Sequence, residues 1–314
     1  MTPEMLQPTE GSNGDTRDAG PSLTGLEKEF LAGIPTRQLD SKVAVVTGAG
    51  SSGYSIGNGR AGAIMLAEAG ANVICVDKDG ESALRTVQLI KHLKLRGAGI
   101  ASVADVTRES DCEEVIQLAL DRFGRLDILV NNVGIHGSKG NSVTVDMSQW
   151  DTAMRVNVAS MILMTKFAVP AMLIRGGDDG RVRGAAIGSI INIASVNGIR
   201  GGSPDILYPT TKGAIVNMTR AMATHHGPSG IRVNCVCPGA VYTPMVGGVE
   251  GGMSRQIRES RMKRSLLGTE GTGWHVGSAI RFLASDEASW ITGVVLPVDA
   301  GATVAVGFGH NMGH

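Results

Sequence analysis

The chain has 314 residues, 42% of them hydrophobic, enough for one large α/β domain or two small ones. Lys plus Arg and Asp plus Glu balance at 29 each, so no basic excess points to nucleic acid or an anionic membrane. Glycine, at 44 residues, is scattered rather than periodic, which excludes a fibrous repeat and points to turns and close backbone approaches.

Residues 1–38 are rich in Pro, Gly, Ser, Thr and acid and are expected to form a disordered extension, with a short helical turn at 26–31. The start has neither a basic n-region nor an apolar core, so no secretory signal is expected. Residues 42–48 (KVAVVTG) read as a buried strand entering a glycine-rich turn that extends to Ala61. A helix over 61–69 and a strand over 72–77, ending on Asp77, follow. A strand, glycine loop, helix and strand ending on an acid suit a dinucleotide, because glycines let the backbone approach a pyrophosphate and the helix supplies oriented N–H groups. Candidate contacts are Gly48, Ser52, Ile56, Gly57 and Gly59. The Asp77 carboxylate would accept from ribose hydroxyls and repel a 2′-phosphate, favouring NAD over NADP, although Lys78 lies beside it. A plain turn role for Asp77 is the alternative.

A helix over 81–95 leads to a strand over 99–105, where Asp105 and Val106 are placed to meet an adenine ring. After a helix over 109–123, residues 126–134 form another buried strand, with Asn131 and Asn132 at the sheet edge where ligands bind, or in an Asx turn. The helix over 150–174 carries Asn157, either a satisfied buried amide or a water-holding relay residue. The apolar stretch within it is broken by Lys166 and Pro170, so no membrane span is expected. Residues 175–188 read as an exposed polar loop, and 189–195 as a buried strand ending on Ser195.

Tyr208 lies thirteen residues beyond Ser195, and Lys212 four further on. Pro209 suits a helix's first turn, so Tyr208 and Lys212 stand one turn apart on one face. A serine hydroxyl could then face a phenol and an ammonium. An unperturbed Tyr titrates near ~10, but a neighbouring cation favours the phenolate and brings the phenol toward acid–base work at neutral pH. Tyr-x-x-x-Lys also occurs by chance on surface helices, so the pair alone does not decide.

A helix follows at 211–225, then a strand and turn at 230–239, with Val241 and Thr243 at the same edge. Residues 247–267 read either as a mobile lid or as a solvated surface helix. A helix at 276–285 and a strand at 293–299 close the alternation, which implies a doubly wound parallel sheet with helices on both faces, a Rossmann-type α/β fold in a single domain over 39–306 with a tail at 307–314. Cys75, Cys112, Cys235 and Cys237 read as reduced thiols in a cytoplasmic setting; Cys235 and Cys237 share a strand face, but no metal site is expected. The histidines at 225, 226, 310 and 314 read as surface residues.

Residues 40–303 resemble the classical short-chain dehydrogenase/reductase family. The resemblance rests on the Thr47-Gly48 loop, Asp105, Asn131-Asn132-Val133-Gly134, Asn157, Ser195, Tyr208-x-x-x-Lys212, Pro238-Gly239 with Thr243, and Val298-Asp299-Ala300-Gly301. It implies that Tyr208 transfers the proton, Lys212 lowers the Tyr pKa and binds the nicotinamide ribose, Ser195 orients the substrate oxygen, and Asn157 holds a relay water. The implied activity is NAD(P)-dependent interconversion of a secondary alcohol and a ketone, with a small-molecule substrate and a homodimer or homotetramer. The chain departs from the family pattern in about five residues inserted at 52–56, Val for Ala at Val133, and a long 175–188 loop. Two alternatives stand beside it. Enoyl reductases also have interrupted glycine loops, but they place six residues between Tyr and Lys, not three. A non-catalytic dinucleotide sensor or scaffold needs no Ser–Tyr–Lys set. Expected pocket residues are His136, Asn197, Ile199, Tyr242 and Met245.

Overall fold

The structure, a computed structural model, describes residues 23–52, 56–174, 186–247 and 252–304. Contacts divide the chain into two compact units, Met1–Pro35 and Thr36–His314. In the first, Gly25–Ala32 forms α1, opened by a capping box in which the Glu27 carboxylate accepts from Thr24 N at 2.7 Å and Thr24 Oγ1 accepts from Glu27 N at 3.3 Å. The short turn expected at 26–31 is thus an eight-residue capped helix. The rest of the expected extension, 1–22, and the tail at 307–314 lie outside the described residues.

In the second unit, strands β1 (Val43–Thr47), β2 (Asn72–Asp77), β3 (Gly99–Val103), β4 (Ile128–Asn131), β5 (Gly188–Ile193) and β6 (Ile231–Pro238) alternate with helices α2 (Asn58–Glu68), α3 (Gly80–His92), α4 (Glu109–Phe123), α5 (Met147–Met154), α6 (Ser160–Leu173) and α7 (Leu207–His226). β7 (Val241–Tyr242), α8 (Pro244–Gly247), α9 (Arg255–Met262), β8 (Gly271–Thr272), α10 (Gly273–Ala284) and β9 (Val295–Val298) complete it. The main sheet has seven strands in the order β3-β2-β1-β4-β5-β6-β9, all paired in parallel. Its central strands are buried on both faces, which is why they read as unbroken apolar runs rather than alternating ones.

Residues of α2, α3 and α10 cover one face, and those of α4, α6 and α7 the other. The winding reverses between β1 and β4, and the carboxyl ends of those strands border the site where such sheets bind ligands. Helix ends differ from the sequence expectation for local reasons. α3 stops at His92 rather than 95 because Lys94 takes a left-handed conformation (φ 50°). α7 begins at Leu207 rather than 211, since Pro209 falls in its first turn, and α10 begins at Gly273, capped by Thr272 with His275.

The continuous helix Met147–Leu173 is long and apolar enough by length and composition to cross a membrane, despite the interruptions noted in its sequence. Its buried side chains, among them Met164, Ala168 and Met172, are spent on the sheet instead. Most of the 175–188 loop lies outside the described residues.

Candidate active site

The glycine loop is shaped by what its residues cannot accommodate. Gly48 turns the chain out of β1 with φ 62°, and a Cβ there would sit 2.9 Å from Asn132 Nδ2. That amide donates to Thr47 O at 3.2 Å and Gly48 O at 3.1 Å, stapling the end of β4 to the loop. At Gly59 a Cβ would lie 2.0 Å from Gly48 O, so only hydrogen lets α2 approach the loop this closely. Asp77 Oδ2 accepts from Gly50 N at 3.0 Å, and Gly57 N donates to Ser51 Oγ at 3.0 Å. Beneath the loop Arg60 is fully buried, its Nε donating to Thr86 Oγ1 at 3.0 Å and its Nη2 to Ser51 O at 3.2 Å. Sequence reasoning missed Arg60, because an arginine in a helix usually reaches solvent.

From this loop a cleft of about 810 Å³ runs across the carboxyl edge of the sheet. One end is bordered by Asp77, Lys78, Asp105 and Val106, the middle by Gly48, Ser52, Gly57, Gly59 and Asn132, and the other end by Tyr208, Lys212 and Thr243. The Asp105 carboxylate is held below its usual range, chiefly by the Thr107 N–H and also by the Thr107 hydroxyl. A nicotinamide dinucleotide fits this set. Loop glycines line it beside the N-terminus of α2, acids stand at one end, and hydroxyl and ammonium groups stand at the other.

At the far end, Ser195 follows β5 and caps a short turn at Val196–Gly198, its Oγ accepting from Asn197 N at 3.2 Å. Its hydroxyl lies near enough to the Tyr208 phenol to favour the phenolate. Lys212 is only 3% exposed, donates from Nζ to Ile193 O at 3.0 Å, and lies 5.6 Å from the Tyr208 ring centroid. The structure therefore brings Ser195, Tyr208 and Lys212 together. The electrostatics differ from the sequence expectation. Burial pushes the Tyr208 phenol above its ordinary value, and the Ser195 hydroxyl offsets this only in part. The lowering expected from Lys212 does not prevail, and burial draws Lys212 itself down to about 8.

Folding thus favours the uncharged Lys212, so the unfolded chain binds more protons between about pH 8 and 10.5. Stability from this group is complete above 10.5 and falls away as pH drops through about 8. Lys212→Met is expected to be more stable than the wild type near pH 7, by on the order of 3 kcal/mol, with the gap closing toward pH 10.5. Denaturant melts across that range measure it; a pH-independent gap would sink the assignment.

Asn157 sits in a π-helical turn, Arg155–Ala159, that joins α5 to α6, and its side chain is completely buried. Its Oδ1 accepts from Ile135 N at 2.7 Å, and its Nδ2 donates to Ile135 O at 2.9 Å and Thr211 Oγ1 at 2.9 Å. These bonds tie the segment after β4 to α7, which is a positioning role.

Three expected cofactor contacts do not line the cleft. Ile56 packs beside Gly273 at the start of α10. Asn131 is buried in the sheet, where its Nδ2 donates to Asn192 Oδ1 at 2.9 Å. Val241 is buried against Gly271. Asn197, Ile199, Tyr242 and the expected catalytic residues Ser195 and Asn157 also fall outside the lining, whereas His136 and Met245 are in it, along with the unanticipated Thr152, Val156 and Pro244. Tyr242 instead carries the Arg258 guanidinium 4.3 Å above its ring, and Arg258 and Arg261 both pair with Glu270. Helix α9 buries no side chain of its own, so it is a solvated helix anchored by ion pairs at the edge of the site. Among the described residues no cluster of His, Cys, Asp or Glu could hold a metal ion.

Fold and site together define a nicotinamide-dependent oxidoreductase. A family model described as "Enoyl-(Acyl carrier protein) reductase" matches residues 52–303. The chain is 34% identical over 270 residues to meso-2,3-butanediol dehydrogenase of Serratia marcescens, covering 86% of this chain and 98% of the relative. It is 30% identical over 278 residues to levodione reductase of Leifsonia aquatica, covering 86% and 97%. Among solved structures, one of levodione reductase superposes with a TM-score of 0.77 at 29% identity, covering 86% of this chain and all of that one. A 7α-hydroxysteroid dehydrogenase complexed with NADH and 7-oxo glycochenodeoxycholic acid superposes with a TM-score of 0.73 at 29% identity, covering 84% and 95%. The chain belongs to the short-chain dehydrogenase/reductase family. It is an NAD(P)-dependent alcohol dehydrogenase/ketoreductase acting on CH–OH groups.

Proposed function

We propose that the protein uses NAD in preference to NADP and that Tyr208 transfers the proton as a secondary alcohol and a ketone interconvert. The observation that carries this is that Tyr208 and Lys212, with Ser195 beside Tyr208, stand at one end of a cleft whose other end presents Asp77; Tyr208, Lys212 and Asp77 line it. Gly48, Ser52, Gly57 and Gly59 border the place for the pyrophosphate, Asp105 and Val106 border that for the adenine, and Asn132, Thr243 and Lys212 border the nicotinamide end. Bound cofactor supplies the hydride donor or acceptor.

The chain's own residues handle the substrate oxygen. Ser195 hydrogen-bonds it. In ketone reduction, the Tyr208 phenol, kept protonated by burial, gives its proton to that oxygen. The nearby Lys212 ammonium favours the phenolate left behind. In alcohol oxidation the proton returns to Tyr208. Asn157 supports this end by fixing Ile135 and Thr211, and we extend its role to holding a water in the proton path.

Asp77 supports NAD, because a carboxylate at the end of β2 accepts from ribose hydroxyls and opposes a 2′-phosphate. Asp77→Ala is expected to weaken NAD by about 10–100-fold, the loss of charge-assisted hydrogen bonds, and to move the NADP-to-NAD ratio of kcat/KM upward. Equal use of both cofactors by the wild type would remove the NAD preference. The family model's description raises enoyl reduction, but the three-residue Tyr–Lys spacing and Ser195 favour carbonyl chemistry. NADH binding without turnover across a broad panel of secondary alcohols and ketones would favour a sensor. The reading extends to a homodimer or homotetramer, checked by light scattering, and to a cytoplasmic setting, in keeping with four free, buried cysteines.

A further inference from the structure

His136 lies in the wall of the cleft, its ring centroid 4.7 Å from that of Tyr208 and tilted by 40°. Its placement is enforced from both sides. The residue before it, Ile135, has its N–H and its carbonyl both held by the Asn157 amide, at 2.7 and 2.9 Å. The residue after it, Gly137, has φ 70°, and a Cβ there would meet Leu207 Cδ2 at 2.7 Å and Ala153 Cβ at 3.1 Å. Farther along, Gly140 N donates to Asp205 Oδ1 and Ile206 N donates to Gly140 O, each at 2.9 Å, strapping the segment to the start of α7. Yet among the described residues the imidazole makes no hydrogen bond. The ring stands beside that of Tyr208, is exposed to the cleft and has both nitrogens unpartnered among the described residues, so it is open to a ligand.

The surroundings of the ring favour its neutral form. Partial burial lowers its pKa from the ordinary value and Lys212 acts in the same sense, against the opposing carboxylate of Asp205. A neutral imidazole donates or accepts a hydrogen bond without calling for an anion.

We infer that His136 binds a second oxygen on the carbon adjacent to the reacting one, so that the substrate is a neutral vicinal diol, α-hydroxy ketone or α-diketone. The inference rests on the alcohol/ketone reading above. One substrate oxygen lies with Ser195 and Tyr208, and its neighbour meets the imidazole. The added hydrogen bond to the imidazole favours such a substrate over the analogue that lacks the second oxygen.

The test uses the full-length protein with NADH and three ketones: acetoin, butanone and pyruvate. The wild type is expected to prefer acetoin to butanone by about tenfold or more in kcat/KM and to disfavour pyruvate. His136→Ala is expected to bring the acetoin-to-butanone ratio toward one, and His136→Asn, which keeps a donor and an acceptor, to restore part of it. NADH titration by fluorescence shows that each variant is folded. An equal loss on acetoin and butanone would mean that His136 merely supports the Tyr208 ring and would overturn the proposal, as would a ratio unmoved by either variant or a wild-type preference for butanone or pyruvate. Failure of the wild type to reduce any ketone would overturn the alcohol/ketone reading itself, an outcome separate from the loss of selectivity alone.

Discussion

Tyr208→Phe is expected to lower kcat by about 10²–10⁴-fold while NADH still binds, because it removes a positioned proton donor and little else. The ring keeps its place against His136, and α7 keeps Pro209 in its first turn. What disappears is the phenolic hydroxyl beside Ser195, the acid that burial keeps protonated. Steady-state rates with a working ketone, alongside a fluorescence titration of NADH, separate chemistry from binding. Turnover reduced twofold or less would end the assignment of Tyr208 as the proton-transfer group. Loss of turnover together with loss of NADH binding would point to a disturbed cleft instead.

The second large effect concerns Gly59. A methyl group there would lie 2.0 Å from Gly48 O, 2.5 Å from Asn132 Nδ2 and 2.8 Å from Gly48 C, and two of these three are backbone atoms that cannot swing away. Helix α2 has no room to retreat. On its other side a Cβ at Gly62 would meet Ile280 Cδ1 at 2.9 Å, and one at Gly277 in α10 would meet Ala61 O at 2.9 Å. Gly59→Ala is therefore expected to cost about 1–3 kcal/mol of stability, the usual range for overpacking a filled site, and to weaken NADH binding at least tenfold as the loop is displaced. Gly227→Ala, where a Cβ meets nothing within 4 Å, serves as the comparison. Thermal melts and NADH titrations of both variants check it. A Gly59→Ala protein that melts and binds like the wild type would show that the loop is not fixed by this contact.

Much of the fold was legible in the chain because a parallel sheet buried on both faces writes itself as apolar runs separated by helical stretches. The runs at β1, β4, β5 and β6 are of this kind. Ser195, Tyr208 and Lys212 were legible for a related reason: a strand end and the next helix bring them together within eighteen residues of sequence.

What was not legible depends on distant packing. The direction of the Tyr208 shift follows from how much water its neighbours remove, which no local spacing encodes. Asn157 allowed two readings until Ile135, 22 residues earlier, and Thr211, 54 later, were seen to occupy its amide. Asn131 looked like its neighbour Asn132 in sequence, yet the strand's alternation turns one into the sheet and leaves the other at the cleft. The insertion in the glycine loop hid which residues reach the cleft. Ser52 and Gly57 line it, Ile56 turns toward α10, and 53–55 lie outside the described residues.

The π-helical turn between α5 and α6 adds one residue to the winding of an otherwise continuous rod. An α-helix advances by about 100° per residue, so everything beyond Ala159 is rotated by roughly that angle from where an unbroken helix would carry it. The rod thus has two independent phases. Before the joint it turns Thr152 toward the ligand space, within it Val156, and after it Met164, Ala168 and Met172 toward the sheet. Asn157 stands at the joint itself. Specificity and packing on this helix are thereby uncoupled, and side chains on the ligand half are free to diversify while the sheet-facing half holds its seam unchanged.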